Sequence, residues 1–188
     1  MIGLLYNIRM LKIVSTPNPI LSKPARGVDK IDAKIKQFVI EMEETLLAQS
    51  DTQGVGLAAN QVGSDLAIFI SKKSPDSETQ VFINPKILKV VNKTVKKSPT
   101  KRKRRANKLE GCLSIPRIWG PVERARKVYL EYQDLTGTTY KKWFAGFEAV
   151  IVQHEMDHLQ GVVFTQRSLE QEAPLYKEVD GKLKPFEV

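Results

Sequence analysis

Phe147-Glu148-Ala149-Val150-Ile151-Val152-Gln153-His154-Glu155-Met156-Asp157-His158-Leu159-Gln160 places Phe147, Val150 and Ile151 at helical spacing ahead of two histidines. A helix is predicted over about 147–160, with Gly161 placed to end it. Residues four apart share a helix face, so His154 and His158 can grip one metal ion while Glu155 lies beside it. The same spacing makes the metal-binding face the buried face. These are the only histidines, 2 in all. Read as mere core residues, they would share this register with Glu155 by coincidence.

Outward from this helix the pattern turns to strands. Leu66–Ile70 and Val81–Ile83 read as buried strands, with Asn84-Pro85 as a break before Ile87–Val91. Val128–Tyr132 and Thr139–Phe144 flank Asp134-Leu135-Thr136-Gly137, a hairpin turn. Between Asp32 and about Gln49, Ile35, Phe38, Val39, Met42 and Leu46 recur at helical spacing, with Asp29 or Asp32 as cap. Pro17, Pro19 and Pro24 keep the early chain extended, and the tail finishes as a strand around Asp180-Gly181. Helices near both ends of a strand-rich middle indicate an α+β fold.

The chain's 188 residues suit one domain, and 41% apolar with 27% charged residues is ordinary for a globular protein. No apolar run reaches the roughly 18 residues that cross a bilayer, and Gly3–Tyr6 is too short for a signal peptide core. One cysteine fits a reducing compartment, hence a cytoplasmic location. The net charge of +9 is local: Lys93–Lys108 holds nine basic residues and no acidic one, leaving 21 basic against 21 acidic elsewhere.

That cysteine lies in Glu110-Gly111-Cys112-Leu113-Ser114-Ile115-Pro116. A lone buried cysteine is ordinarily a small hydrophobe. Beside two imidazoles its thiolate completes a catalytic zinc-type set with one position open to water. A closed structural site would want a fourth ligand, and no further Cys or His exists. Gly54-Val55-Gly56-Leu57-Ala58-Ala59-Asn60-Gln61-Val62-Gly63 lets backbone approach a ligand closely, and the Gln61 amide can donate to a developing oxyanion. Taken alone, that loop is more often a tight packing turn.

Together, Gly-x-Gly-x-Ala-Ala-x-Gln, Glu-Gly-Cys-Leu-Ser and Gln-His-Glu-x-Asp-His resemble, in this order, the three motifs of the peptide deformylase family. The resemblance runs from about Leu11 through Phe164 and includes Asn84-Pro85. It implies a single catalytic domain over 1–188, with antiparallel sheets packed around the central metal-binding helix and a basic insertion at about 93–108. The implied reaction is metal-dependent hydrolysis of the N-formyl group from the initiator methionine of nascent polypeptides, releasing formate. By position, the resemblance makes Cys112, His154 and His158 the metal ligands and Glu155 the general base and then acid. Gln61 and the Leu113 backbone N–H would stabilise the oxyanion. Val55, Gly56, Leu57, Val150 and Ile151 would bind substrate, with Gly56 meeting a peptide that runs as an added strand. Leu113 and His154 would also line the methionine pocket, and Asp157 and Arg124 would form a structural charge pair. The implied ion is Fe2+, with Zn2+, Ni2+ or Co2+ able to substitute, and the implied state is a monomer.

The chain departs from the family pattern in three places. The Lys93–Lys108 segment lengthens the stretch before Glu110, Trp119 stands where several relatives carry an arginine near the substrate, and the long C-terminal helix of many members is absent. The basic segment reads either as a solvated loop or as a phosphate contact with ribosomal RNA. Two rival functions stay open: a protease whose third ligand is Glu172 or Glu178, and an RNA-binding module with a structural metal.

Overall fold

Asp32 starts the first helix, α1 (Ala33–Leu47), by accepting hydrogen bonds at Oδ1 from the Lys34 and Ile35 N–H groups, at 2.9 and 3.1 Å. Its buried stripe, Val39, Met42 and Leu46, packs on Leu57, Ile68, Ile70 and Ile83. The computed structural model describes residues 9–49, 54–74, 76–92 and 109–187. The Gly3–Tyr6 stretch and the basic Lys93–Lys108 segment lie outside them, and no helix among the described residues is long and apolar enough to cross a membrane.

Nine strands are described: β1 (Gly56–Ala58), β2 (Ile68–Ser71), β3 (Gln80–Val91), β4 (Leu109–Cys112), β5 (Ile115–Pro121), β6 (Lys127–Gln133), β7 (Thr139–Ala145), β8 (Leu175–Val179) and β9 (Lys182–Phe186). They form two antiparallel sheets, ordered β1-β2-β3-β6-β7 and β4-β5-β8-β9. Helix α2 (Phe147–Leu159) lies on the first sheet, where Phe69, Phe82, Val128, Leu130 and Phe144 meet Ala149, Val152, Met156 and Leu159. Phe82 is fully buried and stacks on Phe69 at 4.3 Å. Truncating it to alanine should cost about 3–5 kcal/mol. A short helix, α3 (Phe164–Glu170), joins Ile115, Val122 and Leu175 in a third cluster over the second sheet.

Asn84-Pro85 does not break the chain as expected; it sits inside the continuous strand β3. The register against β6 slips between Ile83 and Lys86, so the pair forms a bulge, where a residue lacking an N–H does no harm. Asn84 adopts φ 51° and bridges two segments: its Oδ1 accepts from the Val28 N–H, and its Nδ2 donates to the Val28 carbonyl and Gln133 Oε1. Asp180-Gly181 is the turn of the β8–β9 hairpin rather than a strand, with both residues at positive φ. Gly161 follows α2 at φ 74°, where a Cβ would lie 2.7 Å from the Ser22 carbonyl carbon. It ends the helix and admits the N-terminal strap.

Candidate metal centre

The three motifs converge. Cys112 ends β4, and Leu113-Ser114 form the two-residue turn into β5. His154 and His158 face it from α2, with the ligand atoms of Cys112, His154 and His158 within 4.8 Å of one another. The Cys112 Sγ lies 3.1 Å from His158 Nε2. His154 turns Nδ1 to Glu110 Oε2 at 2.9 Å, which leaves its Nε2 for an ion. Burial alone would raise the Cys112 thiol, but the charge of His158 and hydrogen bonds from both imidazoles bring it down to about 5. A thiolate and two oriented imidazoles suit one divalent transition-metal ion.

Glu155 points into the same space and is 3% exposed. Its Oε2 is buried without a hydrogen-bond partner in the protein. Burial raises its pKa to about 7 against the pull of His154 and His158. A Cβ on Gly56 would overlap Glu155 Oε1, so the glycine admits the carboxylate. Gly54 is closed in by two leucines, a Cβ there coming 2.8 Å from Leu46 Cδ1 and 3.2 Å from Leu113 Cδ1. The glycine loop is thus fitted against both other motifs.

Gln61 has a fixed amide. Its Oε1 accepts from the Ala58 N–H at 2.8 Å, so its Nε2 is aimed at Cys112 Sγ, 3.4 Å away, and at Ser114 Oγ, 3.3 Å away. Behind the cluster runs a buried ionic chain. Arg124 holds Glu110 through two bonds of 2.9 Å and reaches Asp157 Oδ2 at 2.5 Å, while Arg167 Nη2 holds Asp157 Oδ1 at 2.9 Å. Burial opposes ionisation of Glu110, yet Arg124 and His154 take its pKa down to about 2. Burial likewise works against the charged Arg124, which Glu110 and Asp157 nonetheless hold well above its ordinary range.

The remaining expected positions divide. Leu57 is fully buried in the α1 cluster, so only its backbone can meet a ligand. Val55 and Gly56 lie at the free edge of the first sheet, because β1 is its terminal strand. Val150 is half-buried on α2. Ile151 lines a cavity of about 250 Å³ with Ser71, Gln80, Phe144, Glu148 and Val152. Glu178, the rival third ligand, instead accepts from Trp119 Nε1 at 2.9 Å.

Four residues carry the site without having been singled out for it: Glu110, Ser114, Arg167 and Asn60, whose Nδ2 donates to the His158 carbonyl. Glu110 had a legible signal, since residues two apart in a strand share a face and Cys112 follows at that spacing. The others are set by contacts between distant segments.

The family model described as Polypeptide deformylase matches residues 10–173. A peptide deformylase of Psychrobacter cryohalolentis is 39% identical over 156 residues, covering 82% of this chain and 77% of that one. The crystal structure of the Thermotoga maritima peptide deformylase superposes with a TM-score of 0.73 at 33% identity, covering 85% of this chain and 97% of that one. The Met-Ala-Ser-bound class I type b enzyme of Acinetobacter baumannii gives 0.72 at 31% identity, covering 85% and 99%.

Proposed function

Because this chain belongs to the peptide deformylase family, hydrolases that remove the N-formyl group of nascent polypeptides, we propose that Cys112, His154 and His158 hold its single metal ion and that Glu155 moves the proton. The observation that carries this reading is the convergence of three ligand atoms within 4.8 Å beside a buried, unpartnered carboxylate. Held by these three residues, a divalent ion would supply Lewis acidity, lowering the pKa of a water and polarising the formyl group. Ferrous iron is the native ion in this reading, although zinc, nickel and cobalt suit the same donors.

The chain's own residues do the rest. Glu155 takes a proton from the attacking water and passes it to the departing amine. The Gln61 NH2, locked by the Ala58 N–H, and the Leu113 backbone N–H donate to the oxyanion. Lys72 N–H donates to the Val55 carbonyl, so strand alternation turns the Gly56 N–H and C=O away from β2. An extended formyl-methionyl peptide can add there as a strand. Val55, Val150, Ile151, Leu113 and His154 take the methionine side chain, and Leu57 contributes backbone only. The protein works in the cytoplasm as one monomeric catalytic domain, and its Lys93–Lys108 segment contacts ribosomal RNA phosphates.

Metal analysis tests the ligand set. Wild type and Glu155→Ala should each retain about one ion per chain, and Cys112→Ala should lose it together with deformylation. Full metal and activity in Cys112→Ala would instead support a protease-like ligand set.

A further inference from the structure

The first sheet packs one face on α2; α1 covers the other at β1, β2 and the start of β3, and leaves the rest of that face outward. On that outward face the register sets Lys86 beside Glu131, Lys89 beside Tyr129, and Val91 beside Lys127. Continuing across β6 to β7, it sets Tyr129 beside Trp143 and Glu131 beside Lys141. Paired residues in an antiparallel ladder point to the same side. Lys86, Lys89, Lys127, Tyr129, Glu131, Lys141 and Trp143 therefore share one surface, on the side opposite Val128, Leu130 and Phe144, which pack against α2.

The lysines are exposed and Trp143 is 43% exposed. Tyr129 and Trp143 stack on each other with centroids 5.0 Å apart and planes inclined 30°. The surface holds one carboxylate, Glu131, which pairs with Lys141 at 2.8 Å. Charge and shape thus coincide: an aromatic platform at the centre, lysines on both flanking strands and a positive balance. An acidic protein partner would use the lysines and leave a half-exposed Trp143 unexplained. A membrane surface would want apolar side chains that penetrate, and this face offers a flat pair of rings. Duplex RNA keeps its bases stacked inside and could use only the charge.

We propose that the outward face of β3, β6 and β7 binds single-stranded RNA, with a base stacking on the Tyr129–Trp143 pair and phosphates held by Lys86, Lys89 and Lys127. Aromatic stacking combined with a basic track is the general solution for single strands whose sequence does not matter. Only the choice of RNA over DNA rests on the family reading, since an enzyme acting on nascent polypeptides works beside RNA. The site lies across the sheet from the metal cluster, so binding and deformylation should vary independently.

The test titrates the full-length, metal-loaded protein into a labelled oligouridylate and follows anisotropy and tryptophan quenching. Trp143→Ala and Tyr129→Ala should each weaken binding at least about fivefold. Lys86→Gln with Lys89→Gln should lower the salt slope by about 1.4, the loss of two single-strand phosphate contacts. Oligouridylate should quench Trp119→Phe as strongly as wild type, because Trp143 reports the stacking. Formate release by the Trp143, Tyr129 and lysine variants should stay within twofold of wild type. That readout also separates the two ideas, because loss of deformylation in wild type would sink the family reading and leave RNA binding standing. The proposal is overturned if wild type does not bind oligouridylate in 50 mM salt on the order of the micromolar range where basic surfaces bind nonspecifically. Binding left unchanged in Trp143→Ala and Tyr129→Ala overturns it too, as does equal affinity for duplex RNA or anionic vesicles.

Discussion

Gly56 and Glu155 occupy one another's space: a Cβ on Gly56 would stand 2.8 Å from the Glu155 carboxyl carbon and overlap its Oε1. No positive φ requires a glycine at this position, so the constraint is steric. Gly56→Ala should displace Glu155 and lower kcat/KM by at least about tenfold, since misplacing a reacting group by an ångström can cost on the order of a hundredfold. Metal content should stay at wild-type level. Activity within twofold of wild type would show that the carboxylate has no fixed position to lose.

Gln61 carries two duties that substitution can separate. Gln61→Glu keeps an oxygen to accept from the Ala58 N–H but lacks the NH2 aimed at the metal cluster. Its kcat should fall by about a hundredfold to a thousandfold with little loss of thermal stability. Gln61→Ala should lose both activity and stability. Equal unfolding temperatures for the two variants would remove the structural duty from Gln61.

Arg124 lies between Glu110 and Asp157, with side chains 8%, 8% and 10% exposed. Arg124→Met leaves two buried carboxylates facing each other and should cost about 3–5 kcal/mol in urea unfolding. Arg124→Lys should recover only part of this, because an ammonium cannot form the paired bonds to Glu110.

The depressed pKa of Glu110 fixes a sign for acid stability. Its folded value, about 2, lies below the ordinary 4.5, so the unfolded chain binds the proton first. Its contribution is complete above about pH 4.5 and is lost as pH falls toward 2. Unfolding measured across that window should show the gap between wild type and Glu110→Gln closing with acid. A gap independent of pH would contradict the ionised pair with Arg124.

An ion at the cluster would join β4 to α2, two elements from different parts of the chain. A ligand that binds only the folded state stabilises it by mass action, about 2.7 kcal/mol at a hundredfold excess over Kd. Chelation should therefore lower the unfolding temperature of wild type and leave that of His158→Ala unchanged.

Much of this architecture is written locally. The i, i+4 histidines, the Asp32 cap, Gly161 after α2 and the Asp134 turn each depend on a few neighbouring residues, and each lies where its local signal puts it. Asn84-Pro85 misled because a proline and a turn-forming asparagine look alike at a loop and at a bulge; the bonds from Asn84 to Val28 and Gln133 decide between them. The β5–β8 pairing and the Glu110–Arg124–Asp157–Arg167 chain join segments distant in sequence. Periodicity carries no information about such pairings. Leu57 shows the same limit, since a motif position does not tell whether side chain or backbone faces the ligand.

The most direct test of the central claim is formate release from formyl-Met-Ala-Ser by the ferrous, nickel and zinc forms, with wild type beside Glu155→Gln. Wild type should turn over, and Glu155→Gln should lose at least about a hundredfold, consistent with removal of the general base and acid, at equal metal content. Turnover by Glu155→Gln within a few fold of wild type, at equal metal content, would contradict it.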